Sequence, residues 1–121
     1  MDAPLIAIVG PTGAGKSDAA LHLAREREVE IVSCDSLQVY RGLDIGSAKA
    51  SQADRRRVPH HLLDVVDPDQ PFSAAEYSHL ARAAIREISG RGRLPIVVGG
   101  TGLYLRALLQ GLFPGPSRSE P

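Results

Sequence analysis

Residues 4–20 read PLIAIVGPTGAGKSDAA, and the order of residue types in this stretch sets the fold. The run from Pro4 to Val9 is apolar on both alternating faces, as expected of a strand buried in the middle of a parallel sheet. Gly10 to Ser17 then fits G-x-x-x-x-G-K-[ST] in full, between that strand and a helix, the context that makes the motif credible. In such a loop Gly10, Thr12, Gly13, Ala14 and Gly15 supply backbone N–H groups that point inward around an anion, and Pro11, which has no N–H, belongs to the same phosphate-binding stretch. The start of the helix adds the positive end of its dipole. Lys16 would reach terminal phosphate oxygens, and the Ser17 hydroxyl would ligate Mg²⁺. A chance glycine-rich turn is the alternative. Most such loops belong to nucleotide-binding and ATP-binding proteins, yet the motif says nothing of reaction type.

Working outward, KSDAALHLARERE (residues 16–28) reads as a helix with Ala20, Leu23 and Ala24 on one stripe, and VEIVS (29–33) as a second strand. Residues 41–71 carry two glycines, three prolines and one short apolar run, Leu62 to Val66; they read as loop with one strand or short helix. Tyr77, Leu80, Ala81, Ala84, Ile85 and Ile88 follow helical spacing, with Ser73 and Glu76 as a capping box and Gly90 as the C′ residue. LPIVV (94–98) is a third strand, GGTG follows, and Leu105, Leu108 and Leu109 mark a last helix that Gly111 should end. Strand, glycine turn and helix recur in order. That pattern predicts an α/β fold, a P-loop NTPase-like parallel sheet flanked by helices, with its loops gathered at the carboxyl ends of the strands. Three strands make a small sheet, so an incomplete domain is expected, with residues 1–112 as the core and 113–121 as a Pro-rich tail.

Of 121 residues, 43% are hydrophobic and 23% charged, ordinary values for one globular domain. Fourteen basic and fourteen acidic side chains cancel, so the chain lacks the overall positive field of a nonspecific nucleic-acid binder, and any such contact must be local. The one cysteine, Cys34, cannot form an internal disulfide, and the N-terminus reads as neither signal peptide nor membrane span. The expectation is a cytoplasmic protein, a monomer without a membrane partner.

Two further constellations fall at the sheet edge that carries the phosphate loop. SCDSLQVYRGLDIGSAK (33–49) follows the second strand; Asp35 could hold a metal-bound water, take a proton from a nucleophile, or simply cap the turn from Ser36 to Val39. Gln38 and Tyr40 could hydrogen-bond or stack on a base, or be plain loop residues. GGTG (99–102) brings Thr101 to the same edge, where its hydroxyl either meets a phosphate or caps the last helix. Arg55, Arg56 and Arg57 read as solvated surface more readily than as an RNA contact. His60 and His61 lack ligand-spaced partners, and Cys34 reads as core.

Taken together, GPTGAGKS, SCDSLQVYRGLDIGSAK, PHHLLDVVDP, FSAAEY and LPIVVGGTGLYLRALLQGL closely resemble the tRNA dimethylallyltransferases, or tRNA isopentenyltransferases, from about residue 4 to residue 114. The resemblance implies that the loop holds the diphosphate of dimethylallyl diphosphate with Mg²⁺ and hydrolyses no ATP. The dimethylallyl group would pass to the exocyclic amine of an adenine beside the anticodon of tRNA. By position Asp35 matches the general base. Ser36, Leu37 and Gln38 lie in the segment that contacts the flipped-out adenine, and Thr101 matches the residue that hydrogen-bonds near the reacting centre and the diphosphate. Lys16 and Ser17 match the phosphate and metal contacts. Leu37 stands where many members carry Arg or Met. Family members also have a helical insertion that grips the tRNA and further basic residues for the diphosphate. Neither lies within these residues, so the expectation is the N-terminal part of such an enzyme, weak or inactive alone. The nearest rival is an adenylate isopentenyltransferase; a P-loop nucleotide kinase or binding module is the rival from another class.

Overall fold

A computed structural model describes residues 5–9, 16–36, 38–42 and 52–112, with the backbone alone for 16–18 and 52. Among these, strands β1 (Ile6–Val9), β2 (Val29–Ser33), β3 (His60–His61) and β4 (Leu94–Gly99) form one sheet in the order β1-β4-β2-β3. Every pair in it is parallel. The helices are α1 (Lys16–Leu23), α2 (Gln52–Arg57), α3 (Ala74–Gly90) and α4 (Gly102–Leu112). The parallel α/β expectation holds.

Alternation along β2 and β4 divides the core. Val29, Ile31, Leu94 and Ile96 pack with Ala20 of α1 on one face, while Val32 and Val97 pack with Tyr77, Ala81, Ile85 and Ile88 of α3 and Leu108 of α4 on the other. Both strands are buried along nearly their whole length because helices cover both faces. β1 departs from the expectation of a central strand. Among the described residues it has a neighbour on one side only, and Val9 is 53% exposed.

The capping box is present as read: the Glu76 N–H donates to Ser73 Oγ at 3.1 Å and the Ser73 N–H to Glu76 Oε1 at 2.8 Å. The far end of α3 corrects the reading of Gly90, which is still helical. Gly92 takes the left-handed φ of 79°. Its N–H reaches Ser89 O at 3.0 Å and the Arg93 N–H reaches Ile88 O at 3.1 Å, a Schellman closure shifted by two residues. Gly111 does not end α4 either. It lies against α3, where an added Cβ would meet Arg82 Nε at 2.7 Å and Ser78 Oγ at 3.0 Å. α1 stops at Leu23 rather than Glu28, because the exposed run from Arg25 to Glu28 has no apolar face to bury and tightens into a turn.

In the irregular stretch the strand is His60–His61, not the apolar run after it. Leu62 and Asp64 take φ of 67° and 57°, so the chain turns there. β3 is held by polar contacts. Glu30, the second residue of β2 and 1% exposed, accepts from His61 Nε2 at 2.7 Å, from Arg91 Nη2 at 2.6 Å and Nε at 2.9 Å, and from Arg93 Nη1 at 3.1 Å. The Arg91 guanidinium, helped by His61, outweighs the cost of burial and holds the Glu30 carboxyl at about 2. This ionic cluster lies toward the amino ends of the strands, and the Schellman turn delivers both arginines to it.

Candidate functional site

The carboxyl edge of the sheet is built from loops that bond to one another. After β2 the chain turns tightly: the Gln38 N–H donates to Asp35 Oδ1 at 3.1 Å, so the turn-capping reading of Asp35 is realised in the fold. A carboxylate has about four lone-pair sites. The turn bond from Gln38 takes one of them. Residues 38–41 are laced to the segment after β3. Gln38 O accepts from the Asp64 N–H at 3.0 Å, Val39 O from the Val65 N–H at 2.8 Å, and Val66 O from the Arg41 N–H at 2.8 Å.

β4 ends against this turn. Gly99 is there because a Cβ would sit 2.0 Å from Cys34 O, so only glycine lets the two backbones pass. Two residues on, Thr101 Oγ1 accepts from the Ser36 N–H at 3.0 Å, and the Thr101 N–H donates to Cys34 O at 3.3 Å. The Thr101 carbonyl begins α4 by accepting from Leu105 N–H at 3.1 Å. Its side chain thus crosses to the Asp35 loop, while its backbone serves the helix.

Two polar residues that underpin this edge are not conspicuous in the sequence. The Tyr77 phenol, on the buried face of α3, donates to Ser33 O at 2.8 Å, and burial pushes its pKa up so that it remains a donor. The Ser33 hydroxyl, at the end of β2, donates to Gln38 Oε1 at 3.2 Å. Tyr77 reads as one more member of an apolar helical stripe. Ser33 carries a signal: it occupies the position after Val29 and Ile31 where alternation calls for a third apolar side chain. Cys34 is core, as read, and burial, with Asp35 nearby, pushes its thiol up to about 11, which leaves it a poor nucleophile.

β1, which leads into the phosphate loop, pairs with β4, and β4 pairs with β2. With strands ~4.8 Å apart, the carboxyl ends of β1 and β2 are ~10 Å apart at the same edge, with the end of β4 between them. Gly10, Pro11, Thr12, Gly13, Ala14 and Gly15 lie outside the described residues, as does Leu37; Lys16 and Ser17 are the first two residues of α1. No group of three or more His, Cys, Asp or Glu is gathered as a metal cage among the described residues. Arg55 bonds Asp64 at 3.0 Å, and Arg57 lies 3.9 Å from Asp54. No helix among the described residues is long and apolar enough to cross a membrane.

Comparison with known proteins gives the same pattern of likeness over nearly the whole chain. A tRNA dimethylallyltransferase of Solibacter usitatus is 59% identical over 118 residues, which are 98% of this chain and 38% of that protein. One from Koribacter versatilis is 56% identical over 98% of this chain and 39% of its own length. Among solved structures, the full-length tRNA isopentenylpyrophosphate transferase of Bacillus halodurans superposes with a TM-score of 0.86 at 47% identity, over 98% of this chain and 39% of that one. A eukaryotic dimethylallyltransferase acting on tRNA gives a TM-score of 0.83 at 36% identity, over 88% of this chain and 27% of that one. The chain thus spans well under half the length of the relatives it matches. The profile of the family described as IPP transferase covers residues 38–120, and with that match the chain belongs to the IPP transferase family.

Proposed function

We propose that this chain forms the donor-binding and proton-accepting part of a tRNA dimethylallyltransferase. Its reaction passes a dimethylallyl group from dimethylallyl diphosphate to the exocyclic amine of an adenine beside the tRNA anticodon, in the cytoplasm. The observation that carries the reading is the bond between Thr101 Oγ1 and the Ser36 N–H, which ties the GGTG turn to the Asp35 loop beside the phosphate-loop strand. In the reaction the amine lone pair forms a bond to the first carbon of the allyl group, the carbon–oxygen bond breaks, and diphosphate leaves with that electron pair. An adenine amine is a weak nucleophile, so its proton must depart as the bond forms, and Asp35 is the acceptor. The loop amides and Lys16 meet the charge that develops on the diphosphate. Ser36, Gln38 and Thr101 line the approach of the base, which must leave its stack to be reached, and Leu37 belongs to the same sequence segment.

The donor set fits Mg²⁺: Ser17 opens α1 next to Lys16, its hydroxyl would offer one hard oxygen, and the diphosphate would offer others, an arrangement this ion accepts. When bound, it supplies further neutralisation of diphosphate charge.

Calorimetry on the chain with dimethylallyl diphosphate and with ATP, each with Mg²⁺, tests the donor. Tighter binding of the prenyl diphosphate is expected, and tighter binding of ATP would overturn it. The transfer itself is measured in a chimera in which residues 1–121 replace the matching part of the Solibacter usitatus relative, with an anticodon stem-loop and AMP as rival acceptors. Prenylation of the stem-loop is expected; preference for AMP would favour the adenylate branch.

A further inference from the structure

We infer that Ser33 is a positioning residue for acceptor recognition, acting through the side-chain amide of Gln38. The inference rests on the transferase reading above and adds to it a residue that touches no substrate. Ser33 is 3% exposed at the last position of β2, and its hydroxyl donates to Gln38 Oε1 at 3.2 Å.

Ser33 is itself held from the opposite side of the strand. Its carbonyl accepts the Tyr77 phenol at 2.8 Å; Tyr77 is fully buried, and its ring stacks on Tyr104 with centroids 4.5 Å apart. Two rigid aromatics therefore fix the residue from which the hydroxyl projects. The main chain of Gln38 is fixed as well, through its N–H to Asp35 Oδ1 at 3.1 Å and its carbonyl to the Asp64 N–H at 3.0 Å. With both ends of the side chain anchored, the plane of the amide is set before any ligand arrives.

A held carboxamide suits an adenine. It offers one donor and one acceptor on a flat edge, the pattern that pairs with an amine beside a ring nitrogen. The Ser33 bond fixes the direction in which Oε1 is held. Ordering that amide in advance removes the entropy cost of fixing it at binding. The amide also hangs from the same loop as Asp35, so the orientation of the base and the proton acceptor are set together.

The test uses the chimera, with steady-state kinetics varied in donor and in anticodon stem-loop. Ser33→Ala is expected to raise KM for the stem-loop about five- to tenfold while KM for dimethylallyl diphosphate stays within about twofold, the scale of one lost hydrogen bond. Ser33→Thr keeps the hydroxyl on a side chain that strands accept, and it returns the stem-loop KM toward wild type. A rise of both KM values together, or of neither, overturns the role of Ser33 while leaving the transferase reading intact. A chimera that prenylates no stem-loop even with Ser33 in place overturns the reading on which it rests.

Discussion

Thr101 and Ser36 are 65 residues apart in the chain and are joined at 3.0 Å by a single hydrogen bond, from backbone amide to hydroxyl. The bond holds the turn after β4 against the turn after β2. Thr101→Ala is expected to lower the transfer rate of the chimera about 10²-fold, the scale for one lost preorganised group at a reacting centre. Thr101→Ser keeps the hydroxyl and should recover most of the rate. Equal losses in the two variants would point to packing of the methyl group instead.

Asp35 already serves its own turn through Oδ1. Its proposed role as base is therefore separable only by kinetics. Asp35→Asn retains an oxygen for the Gln38 N–H and removes the basicity, so the fold should persist while the rate falls about 10²-fold or more, with donor affinity nearly intact. A melting temperature and a donor titration on the same preparation complete the check. A rate within a few-fold of wild type would remove Asp35 from the proton transfer.

Acid should loosen the chain through Glu30. Its folded pKa, about 2, is below the ordinary 4.5, so the stabilisation from Arg91 and His61 is fully present above about pH 4.5 and is lost as pH falls toward 2. A shift of that size corresponds to about 3 kcal/mol. Urea unfolding at pH 7, 5 and 3 should show the loss between the last two, and Glu30→Gln should be less stable at pH 7 and flatter across that window. Parallel pH curves for the two proteins would assign the acid sensitivity elsewhere.

Two glycines invite opposite outcomes. Gly99→Ala places a Cβ 2.0 Å from one main-chain atom of Cys34 and 2.5 Å from another, so the backbones must part, at about 3 kcal/mol or more. Gly111→Ala meets Arg82 Nε at 2.7 Å, at the end of a flexible side chain, and gains helix propensity of about 1 kcal/mol. Thermal melts should show a large drop for the first and a change of a few degrees at most for the second.

What could be read in the sequence was whatever local chemistry decides. α3 was legible because the Ser73–Glu76 box and the apolar stripe agree, and β2 and β4 because sheet strands covered on both faces are mostly apolar. β3 was not: two histidines carry no strand pattern, and what aligns His61 is a carboxylate 31 residues away. Gly90 and Gly92 are equally plausible helix stops by type, and only the hydrogen bonds of the Schellman closure choose between them. At the candidate site, Asp35 and Thr101 stood out from their motifs and lie at one edge. Ser33 and Tyr77 did not, since one ends an apolar strand and the other hides in an apolar stripe.

The sheet order also sets an uneven stiffness along the rim. β4 and β2, which lead into the Thr101 and Asp35 turns, are each bonded on both sides, whereas β1, which leads into the phosphate loop, is bonded on one side among the described residues. Amides of β4 should be the last to exchange with solvent deuterium and those of β1 among the first. On the proposed reading, a bound diphosphate should slow exchange in β1 and leave that of β4 unchanged.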